Sequence, residues 1–218
     1  MAKRTENART QRQRVTDAIQ NGILEGKFNP GDPLRQIPLS AKFGVSQSVV
    51  RESLRTLEQS GLVEGAENLG FVVRSFGTQE LVDAYRVREV LEGLAARSCC
   101  RKASQEDVDH LRAIAGEIHA RSGRRARARR SELEYQFHRY FLELSENQTL
   151  QRVSVGYRFV GNFVVTERDP DELLEEHLAI VEAVAANEPD EAERLARLHV
   201  RRSAESIQDR NATKSSLR

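Results

Sequence analysis

FGVSQSVVRESLRTLEQSGL, residues Phe43 to Leu62, is the stretch that decides the fold. Gly44 permits a sharp turn, and Ser46 stands where a helix N-cap belongs. From there the apolar residues Val49, Val50, Leu54 and Leu57 recur at the spacing of one buried helical face. Gln47, Ser48 and Arg51 fall elsewhere on the first turns, where side chains reach base edges or phosphates. Gly61 closes the helix as a C′ glycine. A short helix that exposes its polar N-terminal turns fits a DNA major groove.

Working outward, Leu62–Glu64 and Phe71–Arg74 read as two short strands around the polar turn Gly65 to Gly70. A hairpin directly after a recognition helix has the arrangement of a wing. Upstream, Val15, Ala18, Ile19, Ile23 and Leu24 mark an amphipathic helix over 12–24. Asn29-Pro30-Gly31-Asp32 is a turn, and Leu34 to Phe43 supplies a second, short helix. Three helices and a hairpin predict a winged helix-turn-helix. Lys3, Arg4, Arg9, Arg12 and Arg14, opposed by Glu6 alone, form a basic arm before it. That arm either tracks phosphates or solubilises the chain.

The chain has 218 residues, a net charge of +1, 39% hydrophobic and 31% charged residues. Two ordinary domains are expected, and the charge balance excludes a globally basic nucleic-acid coat. No run approaches the ~20 apolar residues of a membrane span, and no apolar signal-peptide core is present. The adjacent Cys99 and Cys100 point apart on a helix and read as reduced thiols, so a cytoplasmic location without membrane contact is expected.

Beyond the linker Ser75 to Thr78, the periodicity is helical throughout. Helices are expected over 78–101, 104–121, 131–145, 148–166, 171–187 and 189–207, with a disordered tail over 209–218. Ser104 and Asp107 form a capping-box pattern, and Pro189 suits a first helical turn. The fold class is therefore mainly α: a DNA-binding domain over 1–77 and an all-α bundle of about six helices over 78–208. RSGRRARARR, Arg121 to Arg130, falls between two bundle helices and reads as a solvated loop and helix start.

Three histidines fall at instructive places. Glu134 and His138 share one helix face, His177 lies among Leu173, Leu174, Val181 and Val184, and His199 lies near Leu195 and Leu198. Imidazoles on apolar stripes need partners once buried. Three of them with one carboxylate, converging in a bundle, would satisfy a divalent transition metal, zinc first and nickel or manganese as alternatives. Core histidines satisfied by other groups are the competing reading. A helical-bundle metalloenzyme is a rival from another class, disfavoured by a single first-shell carboxylate and no second Glu-x-x-His motif. His110 and His119 read as surface residues.

Residues 12–74 resemble the DNA-binding domain of the GntR family of bacterial transcription regulators. The resemblance rests on I-x-x-G-x-F-x-P-G-D-x-L (Ile23 to Leu34), on FGVSQSVVRESLRTLEQSGLVE, and on N-L-G-F-V-V (Asn68 to Val73). It implies DNA contacts by Arg35, Ser46, Gln47, Ser48, Arg51 and Gly70. Family members usually carry Arg where Gln47 stands, Thr-Pro where Ser48-Val49 stands, and often Arg where Leu69 stands. Glutamine prefers adenine where arginine reads guanine, so either a shifted operator preference or heavier base reading by Arg35 and Arg51 is expected.

Residues 78–208 resemble the FCD ligand-binding domain of the FadR subfamily, in its VanR-like branch. The matching residues are Tyr85-Arg86-Val87-Arg88 with Leu91-Glu92, Phe137-His138 with Asn147, Glu175-Glu176-His177 with Ile180, and Leu198-His199. Many members of that branch bind a metal through an Asp and three histidines. Here His138, His177 and His199 match, and Glu134 replaces the Asp. The resemblance also implies Arg88 and Asn147 as effector-binding residues, with an Arg88–Glu92 ion pair as the competing role for Arg88. It implies a regulator that senses a small organic acid, or the metal itself, and either releases or tightens on its operator. A winged helix reads a short half-site, so a homodimer on a pseudo-palindromic double-stranded operator is expected.

Overall fold

The computed structural model describes residues 2–24, 26–67, 69–121, 127–154 and 168–216. The chain divides into two compact units, residues 1–75 and 76–218.

The first unit holds α1 (Ala2–Leu24), α2 (Gln36–Phe43), α3 (Gln47–Gln59), β1 (Val63–Ala66) and β2 (Gly70–Val73). Val15, Ile19 and Ile23 of α1 pack with Leu39, Val50, Leu54 and Leu57 in a small core. Gly44 takes a left-handed conformation (φ 65°), which turns the chain sharply between α2 and α3. Ser46 caps α3 by accepting a bond from Val49 N. The buried Ser53 hydroxyl donates to Arg12 O, tying α3 to α1.

The wing is an antiparallel pair with Val63 opposite Val73 and Ala66 opposite Gly70. The second helix starts at Gln36 rather than at the expected Leu34. Leu34 is buried and its N–H donates to Phe71 O, while Pro33 bridges Val72, so this segment serves as an extra edge to the hairpin.

Among the described residues, the second unit contains six helices: α4 (Thr78–Cys99), α5 (Gln105–Ala120), α6 (Arg127–Leu144), α7 (Gln148–Ser154), α8 (Pro170–Ala185) and α9 (Pro189–Ser216). The expected helix over 148–166 is seen to Ser154, and its continuation lies outside the described residues. So does 122–126 of the arginine-rich segment, whose end from Arg127 already belongs to α6. The last helix does not stop near Ile207 but runs to Ser216. No Gly or Pro follows Ile207, and extending an existing helix costs far less than nucleating one.

One core joins α4, α5, α6 and α8 through Ala95, Cys99, Leu111, Ala115, Phe137, Phe141, Ile180 and Val181. A second joins α4 to α9 through Val82, Tyr85, Val200, Ala204 and Ile207. At Gly93 a Cβ would lie 2.5 Å from Arg197 Cγ, so glycine lets α9 approach α4 there. The Ser104–Asp107 capping box forms as expected. No helix of the described residues is long and apolar enough to cross a membrane.

Candidate metal centre and DNA-reading surface

Glu134 and His138 come from successive turns of α6, His177 from the middle of α8, and His199 from α9. The bundle brings all four together, with one ligand atom of each within 4.8 Å of the others. Glu134 Oε2 lies 3.4 Å from His177 Nε2 and 3.7 Å from His138 Nε2. The ring centroids of His177 and His199 are 4.6 Å apart, and those of His138 and His199 5.1 Å. His177 is fully buried and His199 nearly so. Both ring nitrogens of His177 lack a hydrogen-bond partner.

Two further carboxylates stand behind the histidines. Glu176 Oε2 lies 2.9 Å from His199 Nδ1, while Arg168 and Arg202 hold the same carboxylate. Those partners outweigh burial and keep Glu176 far below the usual carboxylate range. Ionised, it can only accept, so Nδ1 is the protonated nitrogen of His199 and Nε2 is left with its lone pair. Burial, with His177 and His138 alongside, depresses His199 to about 4 despite Glu176, so the ring is neutral at physiological pH.

Glu92 Oε2 lies 2.9 Å from His138 Nδ1, though out of line for a hydrogen bond. Its Oε1 accepts from Arg88 Nε at 2.8 Å, and Arg88 stacks over Tyr85 at 4.6 Å. Burial would depress His138, but Glu92 and Glu134 overcome it and raise the ring to about 9. His177 and His138 likewise hold Glu134 low against its burial. The cluster thus holds two partly buried carboxylates that require positive charge close by.

Three imidazoles and one carboxylate are a donor set for a divalent transition ion. An orphaned buried imidazole costs about 1–3 kcal/mol, and a divalent cation held by His177 with its three neighbours would remove much of that penalty. The residues present therefore fit such an ion. Beside the cluster, Glu92, Phe137, His138, Phe141, Ile180 and His199 line a narrow cavity with room for little more than a water molecule. Arg88 reaches this cavity only through Glu92. Asn147 is not among its lining residues, and its Oδ1 caps α7 by accepting from Leu150 N at 3.0 Å. His110 and His119 lie off the cluster, packed on Tyr140 and paired with Asp171.

On the first unit, Arg35, Ser46, Gln47, Ser48 and Arg51 are all exposed, around the start of α2 and the first turns of α3. Ser46 and Ser48 hydroxyls bond to each other at 2.8 Å. Gly70 sits at the wing with φ 79°. Sequence reading passed over Gln36, whose Oε1 accepts from Arg51 Nε at 3.1 Å and holds that side chain. It also missed Glu92 and Glu176 as supports of the histidines, because their partners lie on other helices.

The pattern of bacterial regulatory proteins of the gntR family matches residues 11–73, and that of the FCD domain matches residues 83–202. This chain belongs to the GntR family. It is accordingly a DNA-binding transcription regulator with an FCD domain, the architecture of the FadR subfamily, rather than an enzyme. Similar GntR regulators include a probable D-xylose utilization operon transcriptional repressor of Paenarthrobacter nicotinovorans, 31% identical over 85% of this chain and 84% of that protein. The Glc operon transcriptional activator of Escherichia coli is 26% identical over 89% of this chain and 88% of its own. Among solved structures, a putative GntR regulator from Rhodococcus superposes with a TM-score of 0.79 at 20% identity, over 92% of this chain and 98% of that one. E. coli McbR/YncC gives 0.78 at 17% identity, over the same shares. Those two likenesses establish the GntR fold.

Proposed function

We propose that the helical domain holds a divalent metal ion on Glu134, His138, His177 and His199, and that a small carboxylate metabolite bound there controls operator affinity. The observation that carries this reading is the convergence of those four side chains around His177, whose ring nitrogens make no hydrogen bond. A bound ion, zinc before nickel or manganese, would supply Lewis-acid attraction for an acid's oxygen at any position left open.

The chain's own residues would do the rest. Glu176 and Glu92 orient His199 and His138, and Arg88 offers a guanidinium to the acid if Glu92 shares it. The cavity must widen before an organic acid enters, so binding selects a more open bundle. That shift would change the spacing of two DNA-reading units in a homodimer on a pseudo-palindromic operator read by Arg35, Ser46, Gln47, Ser48, Arg51 and Gly70. The narrowness of the cavity favours one alternative, in which the metal alone is the signal.

Elemental mass spectrometry on untagged protein tests the site. About one ion per chain is expected, lost in His177→Ala with retained helical circular dichroism. A metal-free parent that also fails to take up zinc, nickel or manganese overturns the proposal. If loaded protein changes its operator affinity without any added acid, the metal-only reading prevails.

A further inference from the structure

Ile37 is the most exposed large hydrophobic side chain among the described residues, with 68% of its surface open. It lies in the first turn of α2. Leu39, two positions on and so about 200° round the helix, is buried in the core of the first unit. Ile37 therefore points away from that core. Single exposed apolar residues are ordinary on protein surfaces, so exposure alone assigns no role. The surroundings of Ile37 do.

Two sets of bonds fix where the start of α2 stands. On one side, Leu34 N donates to Phe71 O at 2.7 Å and Pro33 bridges Val72. The chain entering α2 is thus anchored to the second strand of the wing, next to Gly70. On the other side, Gln36 Oε1 accepts from Arg51 Nε at 3.1 Å, which anchors the same turn to the second turn of α3. The first turn of α2 is held between the wing and the recognition helix, with Ile37 turned outward.

Charge says what meets it. From Pro33 to Arg51 the chain has no Asp or Glu, but it has Arg35, Lys42 and Arg51, all exposed. An acid-free basic surface attracts a phosphate backbone. An isoleucine set among those cations gains nothing from phosphate. In the major groove its partner is the C5-methyl of thymine, which cytosine lacks. Arg51 uses Nε for Gln36, and its Nη atoms lie beyond that bond, on the side from which a guanine edge is read.

We infer that Ile37 reads the methyl group of a thymine beside the base pair read by Arg51. The inference rests on the DNA-reading surface proposed above and adds to it a residue that selects by apolar contact.

The test uses the full chain and the duplex that the parent enriches from a random-sequence pool. Each thymine is replaced in turn by deoxyuridine, which keeps the pair with adenine and removes only the methyl. Fluorescence anisotropy should find a position where this costs the parent about fourfold in affinity. Ile37→Ala, with helical circular dichroism unchanged, should lose at least as much on the thymine duplex. It should lose nothing further on the deoxyuridine duplex. Ile37→Val, which keeps a branched side chain, should retain the sensitivity to that methyl. A parent indifferent to every methyl, or an Ile37→Ala variant as sensitive as the parent at every position, overturns the inference and leaves DNA reading by α3 standing. A parent that enriches no sequence overturns both.

Discussion

Glu176 precedes His177 in sequence, yet its carboxylate lies 2.9 Å from the Nδ1 of His199 on a different helix. Adjacent helical residues point about 100° apart, so one faces the cluster and the other supports it from behind. Arg168 and Arg202 fix that carboxylate in turn. Glu176→Gln should therefore weaken metal affinity roughly 10–100-fold without unfolding the domain. Competition against a chromophoric chelator reads it, and an unchanged affinity would deny Glu176 a supporting role.

Arg51 is held by Gln36 at 3.1 Å on the exposed face of the helix-turn-helix. Arg51→Ala should cost about 1–3 kcal/mol of operator binding and relax preference at its base pair. Gln36→Ala, which removes only the support, should cost less. Fluorescence anisotropy on operator and unrelated duplexes separates the two, and an equal loss on both duplexes would reassign Arg51 to phosphate.

Cys99 is fully buried with its Sγ 3.1 Å from Phe141 O, and burial pushes its thiol up to about 12. Cys100 is also buried and raised. Since the thiolate is the reactive form, both should resist Ellman's reagent in the folded chain and react promptly in denaturant. Fast native labelling would show that α4 opens locally.

Asp107 accepts from the Ser104 backbone and side chain and from Tyr140 Oη at 2.7 Å, and the Ser104 bonds lead in lowering its carboxyl. A depressed carboxyl contributes stability above its unfolded value and loses it as pH falls through the folded one. Asp107→Ala should cost about 1 kcal/mol near neutral pH, with a smaller penalty in acid. Thermal melts across that range check the sign. A penalty that grew in acid would contradict it.

Much of the first unit was legible because its signals are local. Gly44, the Ser46 cap and the apolar spacing of α3 act within a few residues, and short-range geometry fixes what they do. Leu34 falls outside α2 because its decisive bond, to Phe71 O, reaches across α2, α3 and β1 to a residue distant in sequence. In the bundle, periodicity placed the helices, and the absence of a breaker after Ile207 could have signalled the longer α9. The histidines stood out as polar residues on apolar stripes.

Sequence by itself determined the winged helix, the helical second unit and the identity of four side chains suited to a metal. Only the tertiary structure decided that α6, α8 and α9 pack so that Glu134, His138, His177 and His199 meet within 4.8 Å. It alone showed that Glu92 and Glu176 back the cluster. Periodicity states which face of a helix is apolar. Which neighbour that face meets depends on packing between residues tens of positions apart, and no local propensity encodes it.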